Sequence, residues 1–149
     1  MPAPPAKYRF GSRSRANLSE CHPDLQILFL TVIRTHDCSV IEGARGESEQ
    51  NTAVSQGRSK ARWPRSNHNV DGVKRRTAWA ADVVPYPVDW KDRDRFVRFA
   101  TFVLDTASKL RAAGVMCHEV RSGGDWDRDG IFDDWDMPHF EIIDVEPGQ

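Results

Sequence analysis

In Asp136-Met137-Pro138-His139-Phe140-Glu141-Ile142 an acid stands three residues before a histidine that opens an apolar, strand-like run. Strand side chains alternate between two faces, so His139, Glu141 and Ile143 share one face and Phe140 and Ile142 the other. A second short run, Ala78-Trp79-Ala80-Ala81-Asp82-Val83-Val84, carries a single charge, Asp82. There Ala80, Asp82 and Val84 point one way, and Ala81 and Val83 the other. A carboxylate on an otherwise apolar strand is costly unless a cation or hydrogen-bond donors satisfy it. His139 and Asp82 are therefore expected to converge from neighbouring strands. His68, in the polar Ser66-Asn67-His68 loop just upstream, is expected to supply a third donor. Two imidazoles and one carboxylate hold a zinc ion while leaving a fourth position open for water. Asp136 is placed to act as the base for that water, so the constellation points to metal-assisted hydrolysis.

Working outward, Leu25, Leu28, Phe29, Val32 and Ile33 follow the helical spacing i, i+3, i+4, i+7, i+8. Pro23 suits the first turn of that helix and Asp24 favours the positive end of its dipole. His22, just before it, reads as a capping or packing residue, and His36 as a cation at the helix end. Cys38 to Ile41 is a strand candidate, and Glu47 to Gln56 a brief helix stopped by Gly57. Residues 58–77 form a long polar, basic loop. Asp92 to Ala113 is the longest expected helix, with Phe96, Phe99, Val103, Ala107 and Leu110 on one stripe and Gly114 as its stop. Val115 to Val120 and His139 to Ile143 complete the strands, and His118 lies in the first of them with no acidic partner at useful spacing. No internal repeat is present. Short strands and irregular linkers exclude a doubly wound sheet. The expected fold is a small α+β domain, residues 10–149, with helices packed on a short antiparallel sheet, the zinc site at the sheet face, and residues 1–9 as a flexible tail.

The chain of 149 residues suffices for one domain. Charged residues make up 29% and the net charge is −1, so no global field draws it to nucleic acid or an anionic membrane. No apolar run approaches the roughly 20 residues that span a bilayer. The opening Met1-Pro2-Ala3-Pro4-Pro5-Ala6-Lys7 lacks the apolar core of a secretory signal. Three cysteines without C-x-x-C spacing are expected to be free thiols of a reducing cytoplasm.

These residues also resemble a known family. Ser66-x-His68, Ala81-Asp82 within an apolar strand, and Asp136-x-Pro138-His139-Phe140-Glu141 are similar to motifs of the zinc peptidases that cleave peptidoglycan stem peptides. That family includes D-alanyl-D-alanine carboxypeptidases and the L-alanyl-D-glutamate endopeptidases of phage lysis cassettes. The resemblance runs through Phe10-Gly11-Ser12-Arg13-Ser14, His22-Pro23-Asp24-Leu25, Glu42-Gly43-Ala44-Arg45, Val83 to Trp90 and Gly123-Gly124-Asp125-Trp126, spanning roughly residues 10–143. It implies zinc held by His68, Asp82 and His139, Asp136 as general base, Arg45 polarising the scissile carbonyl or holding the oxyanion, and Ser66 contacting substrate. One departure is the spacing of thirteen residues between His68 and Asp82, where the family keeps the two close. This makes Asp71 a rival ligand, although Asp71-Gly72 reads as a turn pair that satisfies its own carboxylate. The basic residues Lys74, Arg75 and Arg76 of this insertion are expected to border the substrate groove.

Residues 125–136 place acids at positions 1, 3, 5, 9 and 12 and glycine at position 6, the spacing of a calcium loop. Asp125, Asp127, Asp129, the Ile131 carbonyl and Asp133 are its candidate ligands. Position 12 is Asp136, already wanted as the base. The resemblance implies a monomeric endopeptidase cutting the L-Ala–D-Glu bond of the stem peptide. As a phage-type lysin it would build up in host cytoplasm before reaching the wall, without nucleic-acid or membrane partners. The alternatives are a D,D-carboxypeptidase with the same chemistry and a non-catalytic, calcium-ordered wall-binding module.

Overall fold

The computed structural model describes residues 4–73 and 75–143. Residues 1–3 of the expected tail, Lys74 of the basic insertion and residues 144–149 of the expected domain lie outside them. The elements follow in the order α1 (Ser12–Ser19), α2 (Pro23–Val32), β1 (Cys38–Glu42), α3 (Glu47–Ser55), β2 (Ala80–Pro85), α4 (Arg93–Ala112), β3 (Glu119–Ser122) and β4 (His139–Ile143). The strands form an antiparallel sheet ordered β1-β2-β4-β3, making a small α+β domain.

Local chemistry sets the helix boundaries. His22 caps α2, its Nδ1 accepting the Asp24 amide at 3.0 Å, and Pro23 fills the first turn, where no amide bond is lost. Asp92 caps α4 by accepting the Arg95 amide at 3.1 Å, and Gly114 ends it at φ +76°, a left-handed turn that suits glycine. Leu25, Leu28, Phe29 and Val32 of α2 are buried together with Phe96, Phe99, Ala100 and Val103 of α4. Phe140 of β4 joins them at ring distances of 5.6 Å to Phe29 and 6.2 Å to Phe99. One sheet face is thus dry core. The opposite face of β2 and β4 carries Asp82, His139 and Glu141.

Register brings these residues together. Asp82 pairs directly with His139, and Ala80 with Glu141. Directly opposed residues on an antiparallel pair have Cβ atoms about 5 Å apart, so their side-chain tips can meet on one side.

Two elements depart from expectation. Helix α1 was not signalled by apolar periodicity, since only Ser14 and Leu18 of its residues are buried. Strand β3 begins at Glu119 rather than Val115, because the Cys117 and His118 amides donate instead to Asp24 Oδ2, at 3.1 and 2.9 Å. His118 does have an acidic partner, ninety-four positions away in sequence, with Nδ1 2.8 Å from Asp24 Oδ2. Of the expected tail, Lys7 donates its amide to Arg34 O at 2.8 Å and Tyr8 packs against the core.

Candidate metal centre

Three donors converge where β2 and β4 meet the 66–69 turn. His68 Nε2 lies 3.1 Å from Asp82 Oδ1 and 3.2 Å from His139 Nδ1, and His139 Nδ1 lies 3.3 Å from Asp82 Oδ1. Donors around a tetrahedral ion with bonds of about 2.0–2.1 Å stand about 3.3–3.4 Å apart. The three observed separations have that size.

The partners of the outward ring nitrogens decide what faces inward. His68 Nδ1 is 2.7 Å from the Gly43 carbonyl, which only accepts, so Nδ1 carries a proton and Nε2 is the nitrogen free to face a metal when the ring is neutral. His139 Nε2 is 2.7 Å from Glu141 Oε1, so in a neutral ring Nε2 keeps the proton and Nδ1 is the nitrogen free to face a metal. Glu141 is held ionised below the usual carboxylate range; burial opposes this, but hydrogen bonds and charge from His139 and Arg121 prevail. Its second oxygen accepts from Asn67 Nδ2 at 2.9 Å and from Arg121 Nε and Nη2 at 3.0 and 2.8 Å. Such carboxylate and carbonyl props are the usual supports of metal-bound imidazoles.

The carboxylates around the centre favour a positive charge within it. Burial works against charging His139, yet hydrogen bonds to Asp82 and Glu141 push its pKa up to about 9. Asp82 is driven well below the usual carboxylate range by His68 and His139, against the opposing effect of burial. A divalent cation would supply this positive charge in place of an imidazole proton, with the two inward ring nitrogens as neutral donors beside the ionised Asp82.

Asp136 stands at the rim, half-buried, its Oδ2 3.9 Å from His139 Nδ1, and burial raises its pKa. Arg45 is buried, with Nε and Nη2 on the two Glu42 oxygens at 2.5 and 2.7 Å and Nη1 on Gln50 Oε1 at 3.2 Å. A guanidinium has five N–H donors, so three committed donors leave two for the cleft. Ser66 Oγ accepts the His68 amide at 3.2 Å, shaping the turn that presents the ring. Arg45, Ser66 and Asp136 line a cleft of about 650 Å³ together with His68, Asp82 and His139.

Asp71 turns away: its Oδ1 accepts the Val73 and Arg75 amides at 2.8 and 3.0 Å within its own loop. Among the described residues of the basic insertion, Arg75 packs over Trp79 at 4.5 Å and donates to Asn67 Oδ1, and neither Arg75 nor Arg76 lines the cleft as expected. In the acidic loop, carboxylate oxygens of Asp125, Asp127 and Asp129 come within 4.8 Å of one another, and Asp133 does not join them. Asp125 already accepts the Asp129 and Gly130 amides, at 3.2 and 3.0 Å, and the Ile131 amide donates to Asp129 Oδ1 at 2.8 Å. Asp136 lies with the histidines rather than closing this loop.

Sequence reading assigned no role to Glu141, Gln50 or the Gly43 carbonyl. Glu141 had a signal, standing two residues after His139 on the same strand face. Gly123 explains part of the Gly-Gly-Asp-Trp motif: a Cβ there would lie 2.4 Å from Asp136 O and 2.9 Å from His139 Cβ. Trp126 closes the same side, its ring 5.5 Å from that of His139.

No curated protein sequence matches the chain. The crystal structure of the Serratia marcescens L-Ala D-Glu endopeptidase ChiX is similar at a TM-score of 0.65 and 29% identity, covering 92% of each chain. Residues 6–143 match the family described as phage L-alanyl-D-glutamate peptidase, and the chain belongs to that family.

Proposed function

We propose that this peptidase is a zinc-dependent endopeptidase that hydrolyses the L-Ala–D-Glu bond of peptidoglycan stem peptides, in the role of a phage-type lysin. The observation that carries this is the convergence of His68 Nε2, Asp82 Oδ1 and His139 Nδ1 within 3.1–3.3 Å, beside a half-buried Asp136. Family membership and the ChiX likeness supply the substrate.

His68, Asp82 and His139 would hold the zinc, which when bound would supply Lewis acidity to make water nucleophilic near neutral pH and to polarise a carbonyl. Asp136 takes the proton of the attacking water and returns it to the leaving amine nitrogen. Its burial-raised pKa brings its basicity nearer to a neutral working pH. Arg45, fixed by Glu42 and Gln50, aims its remaining N–H groups at the oxygen on which charge develops. Glu141 keeps the His139 ring oriented through the cycle, and Ser66 keeps the His68 turn in place.

The test is mass spectrometry of purified muropeptides incubated with the protein, with and without a zinc chelator. Chelator-sensitive release of a stem peptide beginning at D-Glu, with L-Ala left on the sugar, is the expected result. Loss of a terminal D-Ala alone would make the enzyme a carboxypeptidase, and no cleavage with zinc supplied would overturn the proposal.

A further inference from the structure

Arg58, Lys60 and Arg65 line the same cleft as His68, Asp82 and His139, and all three side chains are exposed. The other cleft cations are already matched, Arg45 by Glu42 and Arg121 by Glu141. Arg58, Lys60 and Arg65 pair with no carboxylate among the described residues; Arg58 Nε donates only to the neutral Gln56 Oε1, at 2.9 Å. The result is three cations without salt-bridge partners in a cleft whose carboxylates are Asp82, Asp134, Asp136 and Glu141.

The segment that bears them is tied to the centre through Gln50, which is fully buried. Gln50 Nε2 donates to Ser59 Oγ at 2.9 Å and to Ala61 O at 2.6 Å. Its Oε1 accepts from Arg45 Nη1 at 3.2 Å and from Asn69 Nδ2 at 2.8 Å. All its hydrogen-bonding positions are used, and each is a link: to the cationic segment, to the arginine of the site, and to the turn carrying His68. The Arg58 and Ser59 amides also donate to Ala53 O, at 2.9 and 3.2 Å, fixing the segment to the end of α3.

We propose that Arg58, Lys60 and Arg65 form the specificity wall of the cleft, holding the free carboxylates of the stem peptide on the C-terminal side of the scissile bond. This rests on the endopeptidase reading above. The chemistry of the substrate makes the wall directional. On the amino side L-Ala is acylated and neutral. On the other side D-Glu, linked through its side chain, exposes its α-carboxylate, and the stem ends in another carboxylate. The three free cations therefore favour the orientation that lays the D-Glu end along the 58–65 segment. Attraction of this kind acts on binding more than on chemistry, and salt screens it.

The test compares the wild-type protein, Lys60→Glu/Arg65→Glu and Lys60→Gln/Arg65→Gln on two muropeptides that differ only in having the D-Glu α-carboxylate free or amidated. Thermal melts check that each variant folds. On the free-carboxylate substrate the charge reversal is expected to raise KM at least tenfold with kcat little altered. The neutral pair should fall between, and added salt should shrink the difference. On the amidated substrate the penalty should shrink severalfold. An unchanged KM, or an equal penalty on both substrates, would overturn the wall while leaving the peptidase reading intact. Failure of the wild-type protein to cleave either substrate would overturn that reading and the wall with it.

Discussion

Alanine at position 123 would place a methyl group 2.4 Å from the carbonyl oxygen of Asp136, 2.9 Å from His139 Cβ and 3.0 Å from Asp136 Cβ. Real Cβ contacts do not fall below 3.0 Å, so the Asp136 backbone must retreat by at least 0.6 Å. It cannot do so alone, because Asp136 O accepts the His139 amide at 3.1 Å and Gly123 N donates to His139 O at 2.7 Å. The displacement therefore passes to the proposed base and to a metal donor together. Misplacement approaching 1 Å costs on the order of 10²-fold in rate, and overpacking of this kind about 1–3 kcal/mol in stability. Gly123→Ala is thus expected to lose about 10²-fold in kcat, with a melting temperature lower by about 2–12 °C. The assay is turnover of a purified muropeptide with bound zinc quantified in parallel. Gly11→Ala is the control, since a Cβ there meets nothing within 4 Å. Turnover within threefold of wild type, with an unshifted melt, would refute the reasoning.

Glu141→Gln removes the charge that orients His139 and accepts from Arg121, and zinc affinity measured by competition with a chromogenic chelator should fall about 10–100-fold. Burial acts to raise the Asp24 pKa, but hydrogen bonds from the His118 ring and from the His118 and Cys117 amides prevail and lower it. A depressed folded-state pKa gives stability that is present above the ordinary carboxylate range and lost as pH falls through the folded value. Asp24→Asn should therefore lower stability near neutrality by about 1.5–3 kcal/mol and flatten the acid side of a pH–denaturation profile. Phe140→Ala empties the space between Phe29 and Phe99, and chemical denaturation should report a loss of about 3–5 kcal/mol.

What the sequence disclosed depended on how local the cause was. Helices α2 and α4 were legible because their apolar residues recur at helical spacing and their caps lie next to them. Helix α1 was not, because Ser12–Ser19 buries little and is held from outside, Ser14 Oγ accepting the Val40 amide at 3.0 Å and Asn17 Nδ2 donating to Val40 O at 2.8 Å. The start of β3 was misplaced for a similar reason: a carboxylate in α2 takes the two amides that would have extended it. Asp82 and His139 could be paired from strand alternation, and His68 was reached from its place in the loop just upstream, with the family motif pointing to the same residue. The Gly43 carbonyl beside the His68 ring lies twenty-five positions from it, and the Gln50 hub joins loop residues at irregular spacing, so neither follows a pattern in the chain.

The two imidazoles face the centre through different nitrogens, and this makes them unequal as lever arms. Nδ1 of His139 is two bonds from Cβ, so the donor barely moves unless β4 itself moves. Nε2 of His68 is three bonds from Cβ, at the far end of a ring carried by a turn, where a small backbone rotation becomes a large sweep. Bond for bond, an asparagine oxygen reaches where His139 Nδ1 stands, and a glutamine oxygen reaches where His68 Nε2 stands. Redesign of the centre is therefore constrained by reach before chemistry: the sheet position takes the short donor, and the turn takes the long one.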